Sequence, residues 1–129
     1  MSLGLKDKGI RNNLFSSFRF ALSGIVRAVK KERNLKFHLI ISSIIIFLGF
    51  YYQVSAVNWM MLAIAMGLVI TMEMMNTAIE RVVDLVTKDF HPLAKEAKDI
   101  AAGAVLVAAV VSVVIGLIIF LPKIVDSLF

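Results

Sequence analysis

The most unusual chemistry in this sequence is a stripe of carboxyl and amide side chains inside an apolar stretch. Residues 71–84 read TMEMMNTAIERVVD. At about 100° per residue, a helix would place four polar side chains within about 80° of one another: Glu73, Asn76, Glu80 and Asp84. Such groups are costly in an apolar segment, so they are candidates for proton transfer or cation binding in a bundle interior or an aqueous cavity. The simpler alternative is a helix that has already left the membrane, with its charges solvated.

Three more ionisable groups are predicted at the same level as the stripe. Glu32 lies in KKERN, and Lys98 and Asp99 lie in KEAKDIAA. Carboxylates that converge with a lysine and an amide suggest a metal-bound phosphate site, because Mg²⁺ takes few carboxylates and shares the phosphate oxygens of a nucleotide. Other interpretations stay open. Glu32 could pair with its basic neighbours, and Lys98 and Asp99 could simply begin a solvated helix.

The sequence lacks the glycine-rich phosphate loops of soluble kinases and dinucleotide-binding proteins. It contains neither G-x-x-x-x-G-K-[ST] nor G-x-G-x-x-G, so any nucleotide would be held by side chains from several helices. Zinc and serine hydrolase signatures are missing as well. His38 is interpreted as a membrane-interface residue, with a lipid-headgroup contact as the alternative.

The elements that must position these residues are membrane helices. The 129 residues are 60% hydrophobic with a mean hydropathy of +0.88, whereas soluble domains are about 45–50% apolar. We expect one all-α domain over residues 1–129, in the cell membrane, with an N-terminal amphipathic interfacial helix and three transmembrane helices. Cysteine is absent, which excludes disulfides and thiolate metal sites. The net charge of +5 suits anionic headgroups or phosphates and does not require nucleic acid.

Segment lengths and patterns give the expected boundaries. Residues 1–33 are predicted to be cytoplasmic and interfacial, 35–52 to form the first span, 57–78 the second, continuing helically to about 86, and 99–121 the third. A polar link, TKDFHPLAKEAKD, precedes the third span, and Pro122 is expected to end it. Apolar residues recur at helical spacing on one face of the interfacial helix: Phe15, Phe18, Leu22, Ile25, Val26 and Val29.

The distribution of lysine and arginine predicts the orientation. Nine of them lie before the first span or at its very start and four flank the second link, while the first turn has none and the C-terminal tail has only Lys123. Cytoplasmic segments carry the excess of basic residues. We therefore expect the N-terminus and the acidic stripe to face the cytoplasm.

The stripe and the residues after it carry a family resemblance. EMMNTAIERVVD, followed by AKEAKDIAAGAV, resembles the pattern E-x-x-N-[ST]-A-I-E-x-x-V-D with a downstream A-K-D. This pattern is typical of the prokaryotic diacylglycerol kinase/undecaprenol kinase family of integral membrane lipid kinases. The stretches KERNLKFH, DFHPLAKEAKD and GLIIFLPK are similar to its Gram-positive branch, which is associated with undecaprenol.

The resemblance implies an ATP- and Mg²⁺-dependent phosphotransferase that works as a homotrimer, a trimeric helical bundle with sites shared between neighbouring protomers. It implies that Glu73 is the general base, that Glu32 and Glu80 hold Mg²⁺, and that Asn76 orients the reacting groups. It also implies a set of ATP contacts: Phe20, Glu32, Asn76, Glu80, Asp89, Phe90, His91, Lys98 and Asp99.

The sequence departs from the proteobacterial branch at three positions. Asn13 stands near that branch's ATP-contacting arginine, so Arg11 or Arg19 would have to serve instead. Phe20 replaces a tyrosine, and His38 replaces a carboxylate just inside the first span.

Undecaprenol is the expected lipid substrate, and diacylglycerol is the alternative within the family. Two other classes are weighed from the residues alone. A small proton-coupled transporter would need one glutamate near mid-bilayer, whereas this stripe lies at the cytoplasmic end beside a Lys-Asp pair. A purely structural oligomer would explain the small residues of the third span but gives no reason for Glu73 and Asn76.

Overall fold

The computed structural model describes residues 14–129, and this part of the chain forms α-helices only. They are α1 (Leu14–Lys31), α2 (Arg33–Tyr51), α3 (Ala56–Val86) and α4 (Pro92–Leu128). The last three are long and apolar enough to cross a membrane. The prediction of an all-helical protein with three candidate spans after an N-terminal helix is therefore confirmed. The expectations placed on Arg11 and Asn13 lie outside the described residues.

Helix α1 keeps an apolar face exposed along its length. Phe15 and Phe18 are 77% and 72% exposed, and Leu22 one turn later is 53% exposed. Lys30 and Lys31 occupy the last turn, where cations complement the negative end of the helix dipole. An exposed apolar face beside basic residues suits a helix that lies in the headgroup region of a membrane.

The turn between α2 and α3 is closed by backbone hydrogen bonds at the end of α2. Val54 N–H donates to Gly49 O at 3.1 Å and Gln53 N–H to Phe50 O at 3.2 Å, while Gln53 adopts a φ of 49°. These are the bonds of a Schellman motif, with glutamine at the left-handed position that glycine usually fills. Val54 is buried with Leu62, Ile119 and Phe120, so the motif also docks the turn onto the helices.

Among the four described helices, α3 and α4 have the most extensive contact. A stripe of α3 residues at spacings of three or four is buried, namely Leu62, Ala65, Val69, Glu73 and Thr77. The buried residues of α4 include Ala101 and Ala108, whose small side chains let helices approach closely in a membrane. The Ser112 hydroxyl donates to Ala65 O across this contact at 3.0 Å.

Helix α4 is longer at both ends than the apolar stretch alone suggests. It begins at Pro92, whose fixed φ suits the first helical position, and His91 Nδ1 accepts a hydrogen bond from Leu93 N–H as the cap. The expectation that Pro122 ends the helix is wrong, because α4 continues to Leu128. Ile124 packs against the buried cluster that contains Ile119 and Phe120, and this packing holds the last turns helical despite the lost backbone hydrogen bond.

Candidate active site

Glu73 is buried on α3 and is paired with a histidine of α2. Only 5% of the residue is exposed, and its Oε1 lies 3.2 Å from His38 Nε2. A carboxylate this deep needs a polar partner, since an unpaired buried charge is very costly. The pair is consistent with the interpretation that Glu73 faces the bundle interior. It also assigns His38 a partner that the sequence did not reveal.

Asn76 and Glu80 continue the stripe one and two turns further along α3. Asn76 Nδ2 donates to Glu80 Oε1 at 3.0 Å, a contact that the i, i+4 spacing makes natural. Asn76 Oδ1 is buried and has no hydrogen-bond partner within residues 14–129. Buried polar atoms are nearly always paired, so this free acceptor indicates a place where a ligand can donate or coordinate.

Glu32 stands at the junction of α1 and α2, where the backbone is extended. Its Oε1 accepts a hydrogen bond from Arg81 Nη2 of α3 at 3.0 Å. The alternative of pairing with its own basic neighbours is therefore not what the structure shows. Arg81 follows Glu80 directly in the sequence, so the ion pair brings Glu32 to the level of the acidic stripe.

The start of α4 is joined to the end of α3 by a second ion pair. Lys98 Nζ donates to Asp84 Oδ1 at 2.6 Å, and Lys95 pairs with Asp99 one turn away along α4. The hydrogen bond that Lys98 donates to Asp84 raises the pKa of Lys98, which precedes the uncharged apolar stretch of the helix. Lys98 is thus a fixed positive charge beside the acidic end of α3.

The loop between α3 and α4 closes over a shallow cavity of about 220 Å³. The cavity brings together the five predicted ATP contacts that come from the loop and the start of α4, namely Asp89, Phe90, His91, Lys98 and Asp99. The loop is held in part by Asp89 N–H, which donates to Thr87 Oγ1. The lining carries three lysines, three aspartates and the Phe90 ring, and two of the lysines are paired with aspartates. A ligand with phosphates and an aromatic ring could bind there by exchanging with those aspartates.

An apolar groove of about 570 Å³ extends away from Glu73 between α2, α3 and α4. His38 and Val69 line the end nearest to Glu73, and Leu48 and Phe120 line the far end. Its wall is almost entirely apolar apart from two serines and His38. The groove can therefore hold a long hydrocarbon chain with one polar end beside the carboxylate.

The remaining predicted contacts are dispersed. Phe20 lies on α1, 60% exposed, with the Arg19 guanidinium carbon 5.7 Å from its ring centroid. Within residues 14–129 no group of three or more acidic or histidine side chains is arranged to hold a metal ion. Glu32 and Glu80 each have a different partner, Arg81 and Asn76, so the two predicted Mg²⁺ ligands do not form a closed cage.

The sequence did not reveal the contacts of two residues of this candidate site, Arg81 and His38. The sequence predicts no role for Arg81, and it predicts His38 only as a membrane-interface residue or a lipid-headgroup contact. A helical wheel of α3 gives no signal for either contact, because each depends on how α2 packs against α3. The only signal available was position, since His38 and Glu73 each lie just inside a predicted span on the same side.

The fold and site define a class of small helical membrane protein with a polar site at one end of the bundle. The chain belongs to the prokaryotic diacylglycerol kinase family, whose profile matches residues 19–120.

Individual relatives agree with that assignment. The undecaprenol kinase of Bacillus subtilis is 47% identical over 112 residues, which cover 87% of this chain and 91% of the relative. The diacylglycerol kinase of Synechocystis is 41% identical over 85% of this chain and 63% of the relative. The diacylglycerol kinase of Helicobacter pylori strain J99 is 31% identical over 81% of each chain.

These findings define the activity at a coarse level. The chain is a lipid kinase, a phosphotransferase that uses ATP as co-substrate, and a multi-pass membrane protein. The expected family and enzyme class are thereby confirmed. A proton-coupled transporter and a purely structural oligomer are set aside, because both leave the kinase relatives unexplained.

Proposed function

We propose that this lipid kinase transfers the γ-phosphate of ATP to the hydroxyl of undecaprenol and yields undecaprenyl phosphate. The observation that carries the choice of lipid is the 47% identity to the Bacillus subtilis undecaprenol kinase, over nearly the whole of both chains. Relatives named for diacylglycerol are 41% and 31% identical. Diacylglycerol is therefore the second candidate substrate.

The apolar groove supports a substrate with a long hydrocarbon chain. Its volume of about 570 Å³ runs between the three long helices and begins beside His38. A lipid alcohol whose chain lies along this groove would present its hydroxyl to Glu73. The exposed apolar face of α1 would keep the site at the membrane surface, where a lipid headgroup and a soluble nucleotide can meet.

Glu73 is the proposed general base. A lipid alcohol is a poor nucleophile, and a carboxylate that takes its proton assists attack on the γ-phosphorus in line with the leaving ADP. Burial of Glu73 and its contact with His38 support this role because they hold the carboxylate beside a residue that lines the groove. Asn76, one turn further along α3, would orient the reacting groups through its free Oδ1 acceptor.

The nucleotide is proposed to bind across the loop cavity at the start of α4. Lys98 would act as a point charge on phosphate, and Asp89, Phe90, His91 and Asp99 would surround the rest of the nucleotide. On binding, the phosphates would compete with Asp84 for the Lys98 ammonium. Phe20 of α1 is a further proposed contact.

The oxygen ligands of the acidic stripe fit Mg²⁺. The ion prefers carboxylate oxygens, keeps several waters and shares phosphate oxygens, so it does not need a closed protein cage. Glu32 and Glu80 would hold it, each at present engaged by a single nitrogen donor. When bound, Mg²⁺ would offset the negative charge that develops on the phosphoryl oxygens.

We also propose how the protein is oriented in the membrane and how its protomers assemble. The excess of lysine and arginine before α2 and around the second link favours a cytoplasmic N-terminus and active site. A homotrimer is proposed from the family resemblance. Wide apolar exposure on the spanning helices of the single chain, such as Ile40, Phe47 and Val107 at 60%, 66% and 65%, leaves surface for lipid and for other protomers.

A phosphate-transfer assay tests the proposal directly. Purified protein in detergent is given ATP labelled at the γ-position, with undecaprenol or diacylglycerol in parallel and with or without Mg²⁺. We expect Mg²⁺-dependent labelling of undecaprenol, with a higher kcat/KM than for diacylglycerol. Preference for diacylglycerol would overturn the choice of lipid, and transfer to neither would overturn the proposed function.

A further inference from the structure

We propose that His38 is a positioning residue that fixes the Glu73 carboxylate for proton abstraction. The inference rests on the proposed function, since it concerns the same reaction. Its starting point is the contact between His38 Nε2 and Glu73 Oε1 at 3.2 Å. The two residues lie on different helices, and the Glu73 side chain is only 6% exposed while that of His38 is 22% exposed.

The chemistry of the pair defines which atoms carry hydrogen. An ionised carboxylate only accepts hydrogen bonds, so the Nε2 atom of His38 must carry the proton that it shares with Oε1. With Oε1 engaged in this way, Oε2 is the oxygen left for the substrate. A base that is held by a third group in one orientation meets its substrate at a fixed distance and angle.

His38 is itself held in place by packing. Leu35, three residues earlier and thus on the same face of α2, is 1% exposed. The imidazole also packs against the Phe37 ring in a T-shaped arrangement, with centroids 5.6 Å apart and planes at 73°. The register between α2 and α3 therefore determines where Nε2 lies, and the Glu73 carboxylate follows it.

The reaction step leaves the histidine unchanged. The O–H bond of the lipid alcohol breaks and its proton passes to Glu73 Oε2. The alcohol oxygen bonds to the γ-phosphorus, and the bond from that phosphorus to the bridging oxygen breaks to release ADP. His38 keeps its Nε2 proton throughout and acts only through the orientation of Glu73.

This role differs measurably from the two simpler ones. A residue that binds the lipid headgroup would change KM for the lipid, and an interface residue would change neither constant. A positioning residue lowers kcat and leaves KM for ATP and lipid nearly unchanged, because substrates still bind when the base is misplaced.

Three substitutions of His38 separate these roles. His38→Leu keeps bulk and removes the donor, and we expect kcat to fall about 10- to 100-fold, the usual effect of misplacing a catalytic group. His38→Gln carries an Nε2 donor as many bonds from Cβ as the histidine, so it should recover most of kcat. His38→Asn ends one bond short and should remain as impaired as His38→Leu. Ser43→Ala is the control, since Ser43 Oγ donates to Leu39 O of its own helix.

The comparison of His38→Gln with His38→Asn tests the positioning role even if His38→Leu does not fold. Both variants carry a polar amide, and they differ only in how far it reaches. Equal activity of these two variants, wild-type turnover in His38→Leu, or a change confined to KM for the lipid would overturn the inference. If the wild-type protein transferred no phosphate to either lipid, the proposed function itself would be rejected. Thermal unfolding in detergent is measured alongside for every variant.

Discussion

Arg81 of α3 holds Glu32 of the α1–α2 junction through an Nη2–Oε1 contact of 3.0 Å, between residues 49 positions apart in the sequence. The Arg81 side chain is 48% exposed and that of Glu32 is 30% exposed. Exposed ion pairs contribute only about 0–1 kcal/mol to stability. The contact is therefore weak enough to exchange when a ligand arrives, and it occupies a carboxylate that we propose as a Mg²⁺ ligand.

Removal of Arg81 should make Mg²⁺ bind more easily. In Arg81→Met, Glu32 loses a competing cation, so half-maximal kinase activity should need about 2- to 10-fold less Mg²⁺, a change that corresponds to about 0.4–1.4 kcal/mol. The measurement is initial rate against Mg²⁺ concentration at saturating ATP. Lys123→Met removes one positive charge near the other end of α4 and should leave the curve unchanged. A rightward shift in Arg81→Met would mean that Arg81 supports the metal site instead of competing with it.

Glu73→Gln should abolish turnover while nucleotide binding survives. The amide keeps the size of the side chain but cannot take a proton, so kcat should fall at least about 100-fold. Equilibrium dialysis with labelled ATP should give a dissociation constant near that of the wild-type protein. Glu96→Gln makes the same chemical change at the start of α4 and should be fully active. Undiminished kcat in Glu73→Gln would reject the base assignment.

Glu80→Gln tests the proposed metal ligand and leaves its hydrogen bond with Asn76 possible. The glutamine oxygen can still accept the hydrogen bond from Asn76 Nδ2, so the only expected loss is the negative charge. Binding of ATP should then lose its enhancement by Mg²⁺, because the ion prefers charged oxygen ligands. Glu80→Ala should show the same loss. The assay is dialysis at two Mg²⁺ concentrations, and an enhancement equal to that of the wild-type protein would exclude Glu80 as a ligand.

Helical periodicity was enough to predict the acidic stripe, and the lengths of the apolar segments were enough to predict the number of candidate spans. The sequence pattern could not predict the contacts between helices, because the contact of His38 with Glu73 depends on the register of α2 against α3. The turn after α2 was predictable as a turn, but its Schellman motif was hidden because Gln53 takes the place of glycine. Proline rules failed at Pro122, where packing of Ile124 outweighs one missing hydrogen bond.

The affinity for nucleotide should not change through deprotonation of Lys98 near neutral pH. Its pKa is raised by the hydrogen bond with Asp84, so the charged form is lost only at a pH above the usual value of about 10.4. We expect KM for ATP to be flat with respect to this group between about pH 6 and pH 9. In Lys98→Met, KM should rise about 10-fold or more at every pH in that range. A wild-type KM in the methionine variant would remove Lys98 from the nucleotide site.

The close approach of Gly49 to Trp59 predicts a stability effect far from the catalytic end. A Cβ added at Gly49 would lie 2.5 Å from Trp59 Cη2 and 2.7 Å from Cζ2, distances at which the indole must move. Gly49→Ala should therefore destabilise the protein by about 1–3 kcal/mol, as overpacking does elsewhere. The measurement is thermal unfolding in detergent.

Gly67→Ala is the matched control for this prediction. A Cβ built there would meet no atom within 4 Å other than its chain neighbours and the nearby backbone of its own helix. Alanine favours a helix over glycine by about 0.5–1 kcal/mol, so Gly67→Ala should unfold at the same or a higher temperature. Turnover per folded molecule should be unchanged in Gly49→Ala, because Trp59 lies on the first turn of α3 and Glu73 four turns later. If both glycine variants unfolded alike, the indole would not be packed against α2 as the structure describes.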